Sequence, residues 1–439
     1  MTTSPYQSTI DGVLEKPSAT LVVLELTLHS ETDGSYTYNP LAVEDLTIRQ
    51  DTANSYTDVI TCSFKASPRD YAVIYEHKTG LLATLRTTFL DPAGTKYVYT
   101  PAPRVRQYRA LIRNPVDNRR QNPDVDQRTT PDQLVTIELI DKRLYDLRHT
   151  QFNSLFSKSS LADILRYIVK SFDTTSGNGA ISALVMAPPD NTHVYPNFDI
   201  PPGKDFSEIF DYLQDRYGVY MKGMQFYYTD GTLYLYPPYE NEPKYRTDRV
   251  TMYRADQGGY SGSPSFHRKV SDDVTEIVVT GASVSKDLSR WGAETHGTSV
   301  MLSRASQMGD GWVTTDARGS RFTEDTSYTL RTGGSAGIAP KMANARYAET
   351  TDNVYIHATQ LAKYQTVLTQ AAWAMAVPFT LSPGQPVSYC HSAENAAAST
   401  PGIIETLEYH YRQSHRTPFG AMAHTCSGNI GVRLKPDAA

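Results

Sequence analysis

Cysteine is scarce in this chain, and the little there is excludes two classes of small stabilised fold. Cys62, Cys390 and Cys426 are odd in number, widely spaced and without a Cys-x-x-Cys pair, so neither a disulfide framework nor a structural zinc site is indicated, and a reducing compartment fits. A long apolar run is also lacking: no window approaches the length needed to span a bilayer, and the start, Met-Thr-Thr-Ser-Pro-Tyr, has neither the basic nor the apolar part of a leader. The expectation is a soluble protein made in a cytoplasm, with no membrane span. Charge of one sign is missing too. With 42 Lys plus Arg against 47 Asp plus Glu, a net charge of -5 leaves no whole-chain footprint for specific nucleic-acid binding. No Gly-x-Ser-x-Gly elbow, His-Glu-x-x-His pair or phosphate-binding loop occurs, so the chain is expected not to be an enzyme and to need no cofactor.

Tyrosine is what the sequence has in excess: 30 Tyr against 13 Phe and 3 Trp. Tyr suits half-buried pleated surfaces and interfaces, where the ring is covered while the hydroxyl finds a partner. At 439 residues, two or three domains are expected. Residues 1–18 are polar and aperiodic and read as a flexible N-terminal arm that is disordered or lies on a neighbour. From 19 to 148 strands dominate. Thr20 to Leu28 is apolar and β-branched, and Val59 to Ala66 alternates strictly, with Ile60, Cys62, Phe64 and Ala66 on one face.

Residues 149–245 carry two capped amphipathic helices and a hairpin. Leu161, Ile164, Leu165, Ile168, Val169 and Phe172 share a face, with Ser160 as cap and Asp163 three residues on. After a Pro-rich link, Asp205 caps a second helix with Glu208 as its reciprocal partner; Phe206, Ile209, Phe210, Leu213 and Tyr217 form its stripe, and Gly218 ends it. The run Val219 to Tyr236, with an Asp230-Gly231 turn, reads as a hairpin.

A second β-rich region, 246–439, has its clearest strands at Thr275 to Thr280, Ile403 to Tyr411 and Ala421 to Ser427, and a polar insertion near 287–353. One helix is expected within it, with Leu361, Tyr364, Leu368, Ala371, Ala372 and Met375 as its buried stripe and Pro378 as its stop. Two β regions of similar size around one helical unit suggest a coarse duplication. The fold class is α+β, mostly antiparallel β.

Five segments carry a family resemblance: Thr57-Asp58-Val-Ile-Thr-Cys-Ser-Phe-Lys-Ala-Ser-Pro68-Arg69-Asp70-Tyr71-Ala-Val-Ile74-Tyr75 followed by Gly80-Leu81-Leu82; Ser160-Leu-Ala-Asp-Ile-Leu with Ile200-Pro-Pro-Gly-Lys-Asp-Phe-Ser-Glu-Ile-Phe-Asp-Tyr-Leu; and Ser382-Pro383-Gly384 before a strand. With their arrangement they resemble the hub proteins of phage tails and baseplates and of related contractile injection machines. That resemblance implies two tube-like β-barrel domains, at 19–148 and 246–439, flanking the small helix-helix-hairpin domain. It also implies a homotrimer of pseudo-sixfold symmetry in the virion, joining the tail tube or distal tail protein to spike or tip proteins during host entry. The sequence stops soon after Leu434 with no lysozyme-like domain or β-helical needle, so a spike or lysin is expected on another chain.

Several constellations remain as candidate sites. Arg104, Arg106, Arg109, Arg113, Arg119, Arg120 and Arg128 form the one local basic concentration; they read either as a contact for a negatively charged partner, an acidic subunit surface or DNA passing a channel, or as a solvated strand edge and loop diluted by Asp117, Asp124 and Asp126. Tyr220, Tyr227 and Tyr228 on the hairpin are candidate partner contacts. His410, His415, His424 and Cys426 are a candidate metal cluster or simply a strand face with a loop His. Two rivals to the hub are a tail-associated enzyme that degrades cell walls, with its site in 287–353, and a receptor- or glycan-binding module using Trp291 and Trp312.

Overall fold

A computed structural model describes residues 5–14, 21–52, 56–90, 97–98, 104–113, 132–148, 150–176, 181–240, 245–255, 267–271, 273–285, 299–304, 311–316, 328–331, 355, 359, 362–363, 366–393, 396–418 and 422–434. The first part of the chain holds α1 (Pro5–Leu14), β1 (Leu21–Ser30), β2 (Thr37–Tyr38), β3 (Val43–Asp51), β4 (Asp58–Ala66), α2 (Pro68–Glu76), β5 (Leu81–Leu90), β6 (Tyr97–Val98), β7 (Arg104–Ile112) and β8 (Gln133–Asp141). The middle holds α3 (Lys142–Arg148), β9 (Gln151–Ser160), α4 (Leu161–Ser176), β10 (Ala183–Met186), β11 (Val194–Asp205), α5 (Phe206–Tyr217), β12 (Gln225–Thr229) and β13 (Thr232–Tyr236). The last part holds β14 (Arg249–Arg254), β15 (His267–Lys269), β16 (Val274–Ser285), β17 (Ser299–Arg304), β18 (Gly311–Asp316), β19 (Tyr328–Arg331), β20 (Val367–Trp373), β21 (Pro386–Ala393), β22 (Ala396–Arg416) and β23 (Met422–Leu434).

The large sheet returns on itself twice. One circuit runs β1-β23-β22-β3-β4-β8-β7-β5 and back to β1, every pairing antiparallel. The other runs β23-β20-β16-β14-β21-β22 and back to β23, with β14 parallel to both its neighbours. The circuits therefore differ in strand number and direction, and they share the β22–β23 hairpin. At 21 residues β22 is about 70 Å of extended chain, long enough to serve both in succession. Its Pro401–Ile403 part faces β21, and its Thr406–Arg412 part faces β3. Strands of residues 19–148 thus do not close their ring alone; the C-terminal hairpin completes it.

Alternation explains the filling. Ile60, Cys62, Phe64 and Ala66 of β4 are all buried, as are Leu46 and Ile48 of β3, Val135, Ile137 and Leu139 of β8, and Tyr409 and Tyr411 of β22. They join Val250, Ile277, Trp373 and Val432 of the second circuit in one continuous apolar core. Both rings are packed with side chains, so neither is a channel.

Two expectations change. Where a helix was expected around Leu368, Ala371 and Met375, Val367–Trp373 is strand β20, with Thr369, Ala371 and Trp373 turned inward. The inward set is small or polar except for Trp373, and alanine's helix preference masks the period of two; pairing with β16 and β23 overrides it. Leu361 and Tyr364 lie outside the described residues. Within the stretch expected as a flexible arm, Pro5–Leu14 forms α1, whose Tyr6, Ile10 and Val13 recur at helical spacing and are buried. The Tyr6 hydroxyl lies 2.8 Å from the carbonyls of both Arg254, at the end of β14, and Cys390, within β21. In the polar insertion, β17 pairs with β18 and β19 in a separate antiparallel sheet.

The middle unit follows its sequence closely. Asp205 Oδ1 accepts from the Ser207 and Glu208 amides at 3.0 and 2.9 Å, and Ser160 Oγ accepts from the Asp163 amide at 3.3 Å. The Pro-rich link is strand β11, paired with β9 across an irregularity between Ile200 and Lys204. At Asp230 and Gly231, φ is 51° and 78°, which suits the two-residue turn of β12–β13. Gly218 has φ 69°, and a Cβ there would meet the Tyr355 ring at 2.1 Å. Gly218→Ala is expected to lower stability by about 2–4 kcal/mol, from the left-handed backbone and the overlap together, measured by urea denaturation; wild-type stability would contradict the close approach.

Candidate functional site

The inward faces of β4 and β7 are apolar except near one end of the ring, where Asp58 and Arg106 turn in together. Asp58 is 2% exposed, and its carboxylate is met by donors from four directions. Arg106 Nη1 and Gln50 Nε2 donate at 2.6 Å, Tyr227 OH at 2.5 Å and Thr229 Oγ1 at 3.2 Å. Gln50 and Asp58 belong to β3 and β4, Arg106 to β7, and Tyr227 and Thr229 to hairpin strand β12. The guanidinium of Arg106 also lies over the Phe379 ring, 4.6 Å from its centre, in the loop after β20. One buried ion pair therefore ties both circuits to the middle unit.

Its electrostatics are those of a closed network. Burial alone would weaken the Arg106 proton, but Asp58, Tyr108 and Asp230 reverse this and raise its pKa. Burial, then the neighbouring Asp58 charge, pushes the Tyr227 hydroxyl far above its usual range, so it stays a donor. Nearby Asp141 ends β8 and accepts from the amides of Arg143 and Leu144 at 2.9 and 3.3 Å, starting α3; burial raises its pKa.

Two further contacts fix the unit. Tyr228 N donates to the Tyr56 carbonyl at 2.8 Å, beside a parallel bridge between Thr57 and Tyr228, while the Tyr56 ring stacks on Phe226 with centroids 4.1 Å apart. On the other side, Arg246 reaches Asp248, the Ser382 hydroxyl and the Pro383 carbonyl, and Tyr245 OH donates to the Gly384 carbonyl at 2.5 Å. Gly384, φ 80°, lets the Tyr236 ring approach to where a Cβ would stand 2.6 Å away. The Ser382-Pro383-Gly384 turn is thus a docking surface for the hairpin.

The remaining candidate residues are dispersed. Arg109 pairs with Glu31 at 2.8 Å and with the Thr79 carbonyl, and Arg113 pairs with Glu138; with Arg106 on Asp58, three arginines of the basic stretch have acidic partners in their own chain. Arg104 is on β7; Arg119, Arg120 and Arg128 lie outside the described residues. Tyr220, Tyr227 and Tyr228 are at most 1% exposed, and Tyr220 OH donates to the Ala187 carbonyl at 2.6 Å. His424 is buried, its Nε2–H donating to the Val43 carbonyl at 3.0 Å. Cys426 is inward beside Tyr411, whereas His410 is on the outer face with Thr47 and Glu408, so the strand does not bring the three together. Burial raises the Cys62 and Cys426 thiols well above their usual range. Among the described residues no group of three or more His, Cys, Asp or Glu is placed to hold a metal ion. Nor is any helix there long and apolar enough to cross a membrane. Sequence reasoning misses Asp58 because nothing local marks a lone carboxylate at the head of an apolar strand as the partner of one arginine among seven.

With known proteins the likeness is as follows. Residues 108–235 match the family model described as Bacteriophage PBS1 gene 109 protein. No curated protein matches the chain. Among solved structures, the chain is similar to a tail protein from Neisseria meningitidis MC58, with a TM-score of 0.43 and 11% identity over 94% of this chain and 97% of that one. It is similar to the 43 kDa tail protein of prophage MuSo2 from Shewanella oneidensis, with a TM-score of 0.45 and 11% identity over 93% and 98%. It is also similar to prophage tail protein gp18 from Listeria monocytogenes, with a TM-score of 0.36 and 9% identity over 93% and 94%.

Proposed function

We propose that the protein is a structural hub of a phage tail or baseplate, resident in the virion and acting as a homotrimer. It seats the tail tube or distal tail protein on one side and receives spike or tip proteins on the other. The observation that carries this is the pair of strand circuits sharing the β22–β23 hairpin. Read as two tube-like barrels, they give each chain two ring-forming units side by side, so three chains present six, and a threefold assembly can meet a sixfold tube. Each circuit is filled by side chains, so a passage for DNA has to run between copies. The match over 108–235 to a bacteriophage protein family supports the phage setting. In this role the Asp58–Arg106 network is mechanical, holding the middle unit fixed against both barrels while neighbours bind above and below.

Electron micrographs of the purified protein are expected to average to a ring of six lobes with threefold symmetry. Averages with twofold symmetry, or no ring at all, would sink the hub.

A further inference from the structure

The β9–β11 ribbon stands apart from the large sheet, and its two outer edges differ. Among the described residues β9 and β11 pair only with each other. On β11, Pro196, Pro201 and Pro202 remove amide donors, which blunts that edge against further pairing. β9 has no proline, and from Gln151 to Ser157 it offers a regular extended backbone; Lys158, with φ 48°, ends the run.

Beside this edge lies α4. Phe152 and Phe156 project from β9 onto Tyr167, with ring centroids 6.5 and 5.3 Å away, yet Tyr167 is 53% exposed. On the opposite face of the same strand Leu155 is 72% exposed. A strand added to β9 would set alternate side chains against the Tyr167 cluster and against Leu155, covering both. The charge around it is net basic in a chain of net charge -5: Lys158, Arg166 and Lys170 are exposed, against a single exposed carboxylate among the described residues on that face of α4, Asp163, which accepts from Ser160 Oγ and pairs with Arg166 at 3.5 Å. An acidic strand is the complement.

We propose that the edge of β9 from Gln151 to Ser157, flanked by the aromatic and basic face of α4, takes up an extended acidic segment of a partner protein as an added strand. The site holds whether or not the chain forms trimers.

The test uses the full-length chain and a fluorescent peptide of alternating Glu and Val. Anisotropy is expected to show binding tighter than about 1 mM, and peptide is expected to slow amide exchange at 151–157. A peptide of alternating Lys and Val is expected to bind at least about tenfold more weakly, as is the Glu-Val peptide to the Arg166→Glu/Lys170→Glu variant. Those side chains are exposed, so the melting curve of the variant is expected to match wild type. Equal binding of both peptides, or binding without protection of β9, would overturn the proposal. So would no binding, or protection of β9 that rises with protein concentration in the absence of peptide, which would assign the edge to a second copy of the chain.

Discussion

Asp58→Ala is expected to destabilise the protein by about 3–5 kcal/mol and to loosen the middle unit from the rings. The size follows from what the substitution leaves behind rather than from what it removes. Arg106 would keep a guanidinium whose side chain is 12% exposed, with exposed Asp230 at 3.8 Å and the more distant Asp141 as its remaining acidic neighbours, and breaking one side of a buried pair typically costs that much. Gln50, Tyr227 and Thr229 lose their shared acceptor in the same step. The informative control is Arg106→Met in the Asp58→Ala background, which removes the stranded charge while keeping an apolar stem under Phe379. Stability should partly return, giving a coupling of about 2 kcal/mol or more in a urea-denaturation cycle. Strictly additive losses, or a loss below about 1 kcal/mol for Asp58→Ala, would show that the network does not hold the units together.

Phe210→Asp is expected to unfold the middle unit while the rings survive. Phe210 is fully buried, its ring centroid 4.7 Å from Phe226 and 5.3 Å from Phe206, inside a core separate from that of the rings. Losing the ring alone costs about 3–5 kcal/mol, and an unpaired carboxylate in its place adds several more. Calorimetry should therefore show one transition lost and another retained. A melting curve like wild type would contradict the assignment of Phe210 to that core.

What the sequence makes legible is local. The caps at Ser160 and Asp205, the stop at Gly218 and the Asp230-Gly231 turn each depend on residues within a few positions of one another, and all four are found where the pattern puts them. The ring circuits are not legible, because closure depends on β1 pairing with β23 and β3 with β22, partners far apart in the chain with no local marker. β20 is hidden by alanines whose own preference is helical. α1 is hidden because its apolar positions, Tyr6, Ile10 and Val13, are few and set among polar residues. The site shows the same divide. Asp58, Arg106 and Tyr227 lie within segments the sequence singles out, the first in the motif that carries the resemblance, yet their convergence needs three strands from two units.

The central claim is that three copies of the chain make one ring. Light scattering after size exclusion tests it most directly, on purified protein across a range of concentrations. The hub predicts a particle of about three times the 48.9 kDa chain mass. A particle of one chain mass at high concentration, or of two, would contradict it.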